Sequence, residues 1–374
     1  MQTVYLLLAI ILLLYGSILL VPALVFVFSK RNPETPTLPK TKISLLIPVR
    51  NEEKNIERCL KSILSLDYPK ELVEIIVIND HSTDLTKKIA QHFEKQFTQF
   101  SVLDNPANSF GKKNAITLGV NTAVNELIVT TDGDCILPSK WLTKIATVYE
   151  EEKPVFIAGP VAYKKQGGIF RDLLQIEQIV LQLISAGAMR IEIPIMCSGA
   201  NLAYRKDFFI ASGGYENDQF ASGDDMMLML KAQKLFPGRL RFLDDREAIV
   251  LTDSALGLKA AIQQRSRWLS KFSAYRSFPV IGTGICVFLA NLMLPVLGLI
   301  SLWKPSFFEV FIYAFSGKMF IDLLLLSLAV PFYREPRLLL LAPLGEVYYP
   351  FQAIVSAAAR LSGSFSWKGR NWKT

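Results

Sequence analysis

The chain has 374 residues, 51% of them hydrophobic and 20% charged, with a formal net charge of +8. That length holds one large domain plus membrane segments, and an apolar excess gathered at the two ends argues against an ordinary soluble protein. Four cysteines without CxxC spacing and only two histidines argue against a zinc site and fit reduced, mostly buried thiols; the positive charge suits anionic lipid headgroups, and no nucleic-acid motif claims it.

Residues 4–28 form an almost unbroken apolar stretch without charge, followed at once by Lys30 and Arg31. The stretch is too long for a signal-peptide core and no basic segment precedes it, so it reads as an uncleaved transmembrane anchor within residues 1–29, its basic end cytoplasmic. Residues 30–42, rich in Pro and Thr, read as a linker. Residues 43–49 are a short apolar run ending in Pro48, Arg50, Asn51 and Glu52. Over residues 53–66, Ile56, Leu60, Ile63 and Leu64 share one helical face. Residues 73–78 form a second apolar run, after which Ile89, Phe93 and Phe97 repeat at helical spacing. Residues 127–131 predict a further strand that delivers Asp132 at its end.

This alternation predicts an α/β domain over 43–276 with a mostly parallel sheet covered on both faces. Ligands bind such sheets beyond the carboxyl ends of the strands, where the polar signatures of the first half fall. Gly111-Lys112-Lys113-Asn114 lacks P-loop spacing and no GxGxxG occurs, which counts against kinases and dinucleotide dehydrogenases. Residues 277–374 form a C-terminal membrane region. Its stretches 279–303 and 307–332 are long enough to span, whereas 338–359 carries Pro343, Glu346 and Pro350 and reads as re-entrant or interfacial. The basic tail Lys368, Arg370 and Lys373 is expected in the cytoplasm, which asks for an even number of crossings after a cytoplasmic central domain.

Four signatures carry chemistry. Asn79-Asp80 closes the second strand, so Asp80 is placed to meet a nucleotide, while Thr83 or Asp84 can cap the next helix. Asp132-Gly133-Asp134 sets two carboxylates two positions apart after a strand. Oxygen donors of this kind suit Mg²⁺ or Mn²⁺ shared with substrate phosphates, although an isolated Asp-Gly turn is also common. Asp224 and Asp225 precede an apolar helix at 226–235. They favour the helix N-terminus electrostatically, or Asp225 takes a proton from an acceptor hydroxyl. Gln264, Arg267 and Trp268 share one face of a helix at 256–276, either as a sugar platform or as an interfacial anchor. The small residues around Gly199 and Asn201 would let a sugar approach the backbone closely.

Taken in order, these stretches resemble the family 2 inverting glycosyltransferases with the GT-A fold, a Rossmann-like nucleotide-diphospho-sugar transferase domain. The resemblance runs from about residue 43 to 271. Its landmarks are Ile47-Pro48-Val49-Arg50-Asn51-Glu52, the run from Asn79 to Asp84, Gly111-Lys112, Asp132-Gly133-Asp134, Ser198-Gly199-Ala200-Asn201, Asp224-Asp225 and the Q-x-x-R-W pattern Gln264 to Trp268. That last pattern is similar to those of cellulose, chitin and hyaluronan synthases and of ceramide glucosyltransferase-like enzymes.

The resemblance implies that Asp80 contacts uridine, with Pro48, Arg50, Glu52, Lys112 and Asp132 around the donor nucleotide. It further implies that Asp134, with Asp132 nearby, holds the metal and that Asp225 is the base. Gly199, Asn201, Asp224, Gln264, Arg267 and Trp268 would then line the acceptor and diphosphate. Asn79 and His81 depart from the commoner Asp and Gly of the D-D-G-S-T-D pattern. There are also fewer spans than large processive synthases use.

The resulting expectation is an inverting transfer from a nucleotide-sugar, UDP-linked, to a membrane lipid or lipid-linked acceptor. The enzyme would sit in the cell inner membrane with its catalytic domain in the cytoplasm. A processive polysaccharide synthase with a glycan acceptor and a non-catalytic nucleotide-sugar-binding scaffold are the competing expectations.

Overall fold

The computed structural model describes residues 1–29, 39–215, 223–271, 275–361, 364–367 and 370–373. Most of the linker read at 30–42, the end of the helix read at 256–276, and Lys368 of the tail therefore lie outside the described residues. In chain order the elements are α1 (Gln2–Phe28), β1 (Ile43–Val49), α2 (Ile56–Leu64), β2 (Val73–Asn79), α3 (Thr86–Glu94), β3 (Phe100–Asp104), α4 (Lys112–Thr122), β4 (Leu127–Thr130) and α5 (Trp141–Glu152). Then follow β5 (Phe156–Ala158), β6 (Val161–Tyr163), α6 (Ile169–Arg190), β7 (Leu202–Arg205), α7 (Lys206–Ala211), α8 (Asp224–Leu235), β8 (Leu240–Phe242), β9 (Val250–Thr252) and α9 (Leu258–Leu269). The chain continues with α10 (Phe278–Trp303), α11 (Ser306–Tyr333) and α12 (Ala342–Leu361), and ends in the antiparallel pair β10 (Ser364–Trp367) and β11 (Arg370–Lys373).

These elements form two compact units. One combines residues 30–164 with 197–253, and the other combines 1–29, 165–196 and 254–374. The cuts at 164/165, 196/197 and 253/254 fall inside the 43–276 catalytic region read from sequence. They assign α6 and α9 to the helical unit.

The first unit is built on a seven-stranded sheet ordered β3-β2-β1-β4-β7-β5-β8, with β6 and β9 paired separately. Strands β3, β2, β1 and β4 are parallel, whereas β7 runs antiparallel to both β4 and β5. The sheet is thus mostly parallel, as expected, with one reversed strand. Every residue of β1 is buried, which explains its continuous apolar run. The amphipathic α2 buries Ile56, Cys59, Leu60 and Ile63 against this core.

Pro48 lies in a central strand, a position that proline ordinarily disrupts. Pairing of β1 with β4 ends at Leu46↔Thr130 while pairing with β2 runs on to Val49↔Asn79. Leu46 accepts from Thr131 on the β4 side, so by the two-residue period Pro48 turns its missing N–H towards the side where β4 has already ended. The sheet therefore opens between β1 and β4, at the edge where Asp132-Gly133-Asp134 leaves β4.

The second unit is helical. Among the described residues, four helical segments are long and apolar enough to cross a membrane: 2–28, 278–303, 306–333 and 336–360. The last covers the stretch whose course the sequence leaves open. It is a 3₁₀ turn (Pro336–Leu341) running into the continuous helix α12. Glu346 on α12 is buried, and its charge is met by Lys318 of α11 at 2.9 Å. Lys318 also pairs with Asp322 at 2.7 Å, and Asp322 accepts from the Tyr15 hydroxyl of α1 at 2.5 Å. This connected polar group is what makes an ionisable residue tolerable inside an apolar bundle. Against α1 lies α6, and a Cβ on Gly187 would overlap the carbonyl oxygen of Pro22 at 1.7 Å. The crossing requires glycine there. Arg190, in the last turn of α6, donates to the carbonyls of Phe26 and Ser29, each at 2.8 Å, and so satisfies the C-terminal end of α1.

Candidate active site

The carboxyl ends of β1, β2 and β4 lie along one edge of the sheet. Because β7 is reversed, its beginning lies at that edge: Leu202 pairs with Thr130, the last residue of β4. The Ser198-Gly199-Ala200-Asn201 loop thus reaches the same edge as Asp80 and Asp132 while preceding its strand rather than following it. Thr131 ties the two sides together, its hydroxyl donating to the Ala200 carbonyl at 2.9 Å.

At the tip of β2, Asp80 is buried. One carboxylate oxygen accepts from Asn105 Nδ2 and from the Gly111 N–H, both at 3.1 Å, and lies 3.2 Å from His81 Nδ1. Arg50 donates to the carbonyls of Asp80 and His81 at 2.7 and 3.1 Å, so its guanidinium fixes this turn. Glu52 is buried beside it and accepts from Asn55. The two departures from the commoner pattern acquire a reason here. Asn79 donates to Asp104 at 2.9 Å and accepts from the Ser82 N–H at 3.1 Å, where an aspartate would oppose the Asp104 carboxylate. His81 adopts a left-handed conformation with φ 56° and packs its ring on Phe110, 4.6 Å between centroids.

Lys112 opens α4 and projects among the carboxylates of two further segments, the turn after β4 and the start of α8. Its Nζ lies 2.7 Å from Asp132 and 3.4 Å from Asp224, and Asp225 acts on it electrostatically. Burial disfavours its charge, but Asp132 and Asp224 outweigh that and hold its pKa above the usual lysine range. Asp225, in the first turn of α8, accepts from the Gly199 N–H at 3.0 Å and from the Met226 N–H at 2.8 Å. Asp134 accepts from the Thr252 hydroxyl at 3.2 Å, while Lys164 holds the Asp134 carbonyl at 2.6 Å and pairs with Asp253 at 3.0 Å.

Among the described residues no three His, Cys, Asp or Glu side chains converge as a complete cation cage. Asp132 and Asp134 supply two hard oxygen donors on one turn, a set that fits Mg²⁺ or Mn²⁺ completed by ligand phosphates. The cysteines are free, and Cys59, Cys135 and Cys197 are buried. Burial and the nearby aspartates push these three thiols up, away from nucleophilic use.

The side-chain amide of Asn201 is held inside the protein. Its carbonyl accepts from Trp141 Nε1 at 2.9 Å, and its amide nitrogen donates to the carbonyls of Pro160 and Ala248 at 2.9 and 3.0 Å. The side chain is buried and ties the loop before β7 to Trp141, Pro160 and Ala248.

Sequence reasoning missed Asn105, Lys164, Thr252 and the pair Glu177–Arg265. Asn105 follows the end of β3, so the strand-tip rule that selected Asp80 applies to it as well. Lys164 directly follows β6 and Thr252 ends β9, short strands without a local motif.

In the helical unit, α9 carries Gln264, Arg267 and Trp268, all half-buried. Between them Arg265 is buried, forms an ion pair with Glu177 of α6, and stands 4.5 Å from the centre of the Trp268 ring.

The sheet order, the reversed β7 and the acidic turn after β4 define an α/β nucleotide-sugar transferase fold of the GT-A type. Residues 44–212 match the family described as Glycosyl transferase family 2, and the chain carries a family 2 glycosyltransferase domain. Glycosyltransferase AglE of Haloferax volcanii is 30% identical over 136 residues, 36% of this chain and 43% of that protein. Beta-monoglucosyldiacylglycerol synthase of Synechocystis is 31% identical over 100 residues, 27% of this chain and 19% of that protein. The matched stretches thus span less than half the length of either relative. The mannosyltransferase PcManGT of Pyrobaculum calidifontis, solved with GDP-Man and Mn²⁺, shares the fold with a TM-score of 0.58 at 16% identity, over 95% of this chain and 99% of that one.

Proposed function

We propose that the protein transfers a sugar, with inversion, from a UDP-sugar to a hydroxyl of a membrane lipid or lipid-linked acceptor. The observation that carries the reading is the meeting of Asp132, Asp224 and Asp225 on Lys112, drawn from three separate segments to one sheet edge. Asp80 and Asn105 bind the nucleoside side of the donor, with Arg50 and Glu52 supporting their turn. Lys112 faces the diphosphate, and Asp132 and Asp134 hold the divalent cation. When bound, that cation supplies electrostatic neutralisation of the departing nucleoside diphosphate. Asp225 is the general base. Its carboxylate is oriented by two backbone N–H groups and takes the proton of the acceptor hydroxyl as that oxygen attacks the anomeric carbon. Gly199, having no side chain, lets the Lys112 ammonium sit beside its backbone where it can meet the donor, and Gln264, Arg267 and Trp268 act on acceptor and diphosphate.

A lipid acceptor suits a chain with four helical segments long and apolar enough to cross a membrane, and one relative is named as a diacylglycerol glucoside synthase. The donor domain is proposed to face the cytoplasm, where soluble nucleotide-sugars are present.

The test is release of nucleoside diphosphate by the purified chain in native-lipid nanodiscs. UDP- and GDP-sugars are each supplied with Mg²⁺ or Mn²⁺, and the lipids are analysed by mass spectrometry. A lipid gaining one hexose or hexosamine, lost in both Asp134→Asn and Asp225→Asn, is the expected result. A polymer ladder would replace the lipid reading with a processive synthase, and turnover undiminished in both variants would remove the residue assignments.

A further inference from the structure

The donor and cation reading leaves Lys112 in an unusual position, since its ammonium lies against a carboxylate that the cation also requires. The geometry points to Lys112 as an exchangeable counter-ion: it holds the cation's place at Asp132 until a donor diphosphate draws it away, so that cation binding depends on the nucleotide. The inference rests on the proposed cation site and concerns how that site is filled.

Three features support the exchange. First, Nζ is 2.7 Å from Asp132 and 3.4 Å from Asp224. A divalent ion at Asp132 and Asp134 would stand beside this ammonium, two like charges claiming one carboxylate. Second, the ammonium is tightly seated, yet the side chain is not fully buried. A Cβ on Gly199 would lie 2.7 Å from Nζ, while the lysine side chain retains 17% exposure. A lysine is a point charge on a flexible stem, so it can leave one oxygen partner for another more readily than a forked guanidinium can. Third, the element that carries Lys112 also carries the nucleotide end of the site. The N–H of Gly111, immediately before Lys112, donates to Asp80. A donor seated at Asp80 therefore brings its phosphates towards the first turn of α4, where they offer the ammonium new oxygen partners.

With Lys112 at Asp132, the donor-free protein should take up a divalent cation poorly. With Lys112 on the diphosphate, Asp132 is released and the phosphates complete the cation's coordination. The nucleotide and the cation then bind cooperatively, and each favours the other by the same factor.

The experiment uses the full chain in nanodiscs and follows Mn²⁺ by electron paramagnetic resonance, with and without UDP. Wild type is expected to bind Mn²⁺ weakly alone and at least about tenfold more tightly with UDP. Lys112→Met is expected to bind Mn²⁺ alone at least about tenfold more tightly than wild type, with the UDP effect reduced. Lys112→Arg, which keeps the charge, should resemble wild type without UDP. Thermal unfolding run in parallel guards against a folding defect: Mn²⁺ alone should raise the melting temperature of Lys112→Met and leave wild type nearly unchanged. Equal Mn²⁺ affinity of wild type and Lys112→Met without UDP, with the UDP effect intact in wild type, would overturn the exchange and leave the proposed function standing. No Mn²⁺ uptake by wild type even with UDP would overturn the cation site and the exchange together.

Discussion

Gly199 and Lys112 compete for the same volume: a Cβ on the glycine would stand 2.7 Å from the lysine ammonium. The obstructed atom is the end of a flexible side chain, so Gly199→Ala should fold normally while shifting the ammonium away from Asp132. We expect its melting temperature to stay close to wild type and kcat/KM to fall by up to about 10²-fold, the scale of a small misplacement in a reacting site. Steady-state nucleotide release and thermal unfolding on the same preparation check this. A large loss of stability with little change in turnover per folded molecule would contradict it.

Asp225 accepts from two backbone N–H groups, and an asparagine can retain one of these bonds but cannot take the acceptor proton. Asp225→Asn should therefore lower kcat by about 10²–10⁴-fold and leave UDP affinity within a few-fold of wild type. Calorimetric titration with UDP separates the two quantities. A parallel collapse of UDP binding would move Asp225 from proton transfer to donor binding.

The strands β1, β2 and β4 were legible because continuous apolar runs have few alternatives in a covered sheet, and Asp80 and Asp132 followed from the strand-tip rule. The reversal of β7 was not legible. A four-residue strand carries no mark of direction, and its orientation is set by tertiary pairing with β4 and β5. The partners of the Asn201 side chain were hidden for a related reason. Small neighbours suggested an open approach to ligand, whereas the amide partners come from Trp141, Pro160 and Ala248, far apart in sequence. Asn201→Ala leaves Trp141 Nε1–H and the Ala248 carbonyl without the amide at a buried site, at about 1–3 kcal/mol each before relaxation, whereas the Pro160 carbonyl keeps the Val250 N–H. We expect a destabilisation of several kcal/mol in denaturant unfolding. A folded, fully stable Asn201→Ala protein defective only in substrate binding would restore the ligand-facing role.

Asn79 occupies a position where the resembled pattern has aspartate, and its partner Asp104 supplies the reason. Burial raises the Asp104 pKa, but hydrogen bonds from Lys87 and Asn79 outweigh it and hold the group below the ordinary carboxylate value of 3.8. In wild type this contribution is present above pH about 4 and is lost as pH falls through the depressed folded value. Asn79→Asp would reverse the sign. Two adjacent carboxylates raise a folded-state pKa, so the variant is closest to wild type at low pH and loses stability as pH rises through that value. Chemical unfolding between pH 3.5 and 7.5 should show the gap widening to no more than about 1 kcal/mol, because the Asp104 side chain is exposed and its charge is screened by solvent. Adding Asp104→Asn should close it, and a gap independent of pH would reject the explanation.

Glu177, Arg265 and Trp268 form a connected group that Q-x-x-R-W does not name. Arg265 sits between Gln264 and Arg267 in sequence yet is buried, with its charge met by Glu177 and its guanidinium over the Trp268 ring. Removing Glu177 leaves a buried cation unpaired, which typically costs about 3–5 kcal/mol. It should also free the guanidinium to leave the ring, so Glu177 is a positioning residue for Trp268. In protein labelled with 5-fluorotryptophan, the resonance assigned by Trp268→Phe should shift and broaden in Glu177→Gln. Arg265→Lys should also shift that resonance while retaining more stability, because lysine keeps the charge but lacks the planar face that stacks on indole. An unmoved Trp268 signal in both variants would limit the Glu177–Arg265 pair to stability alone.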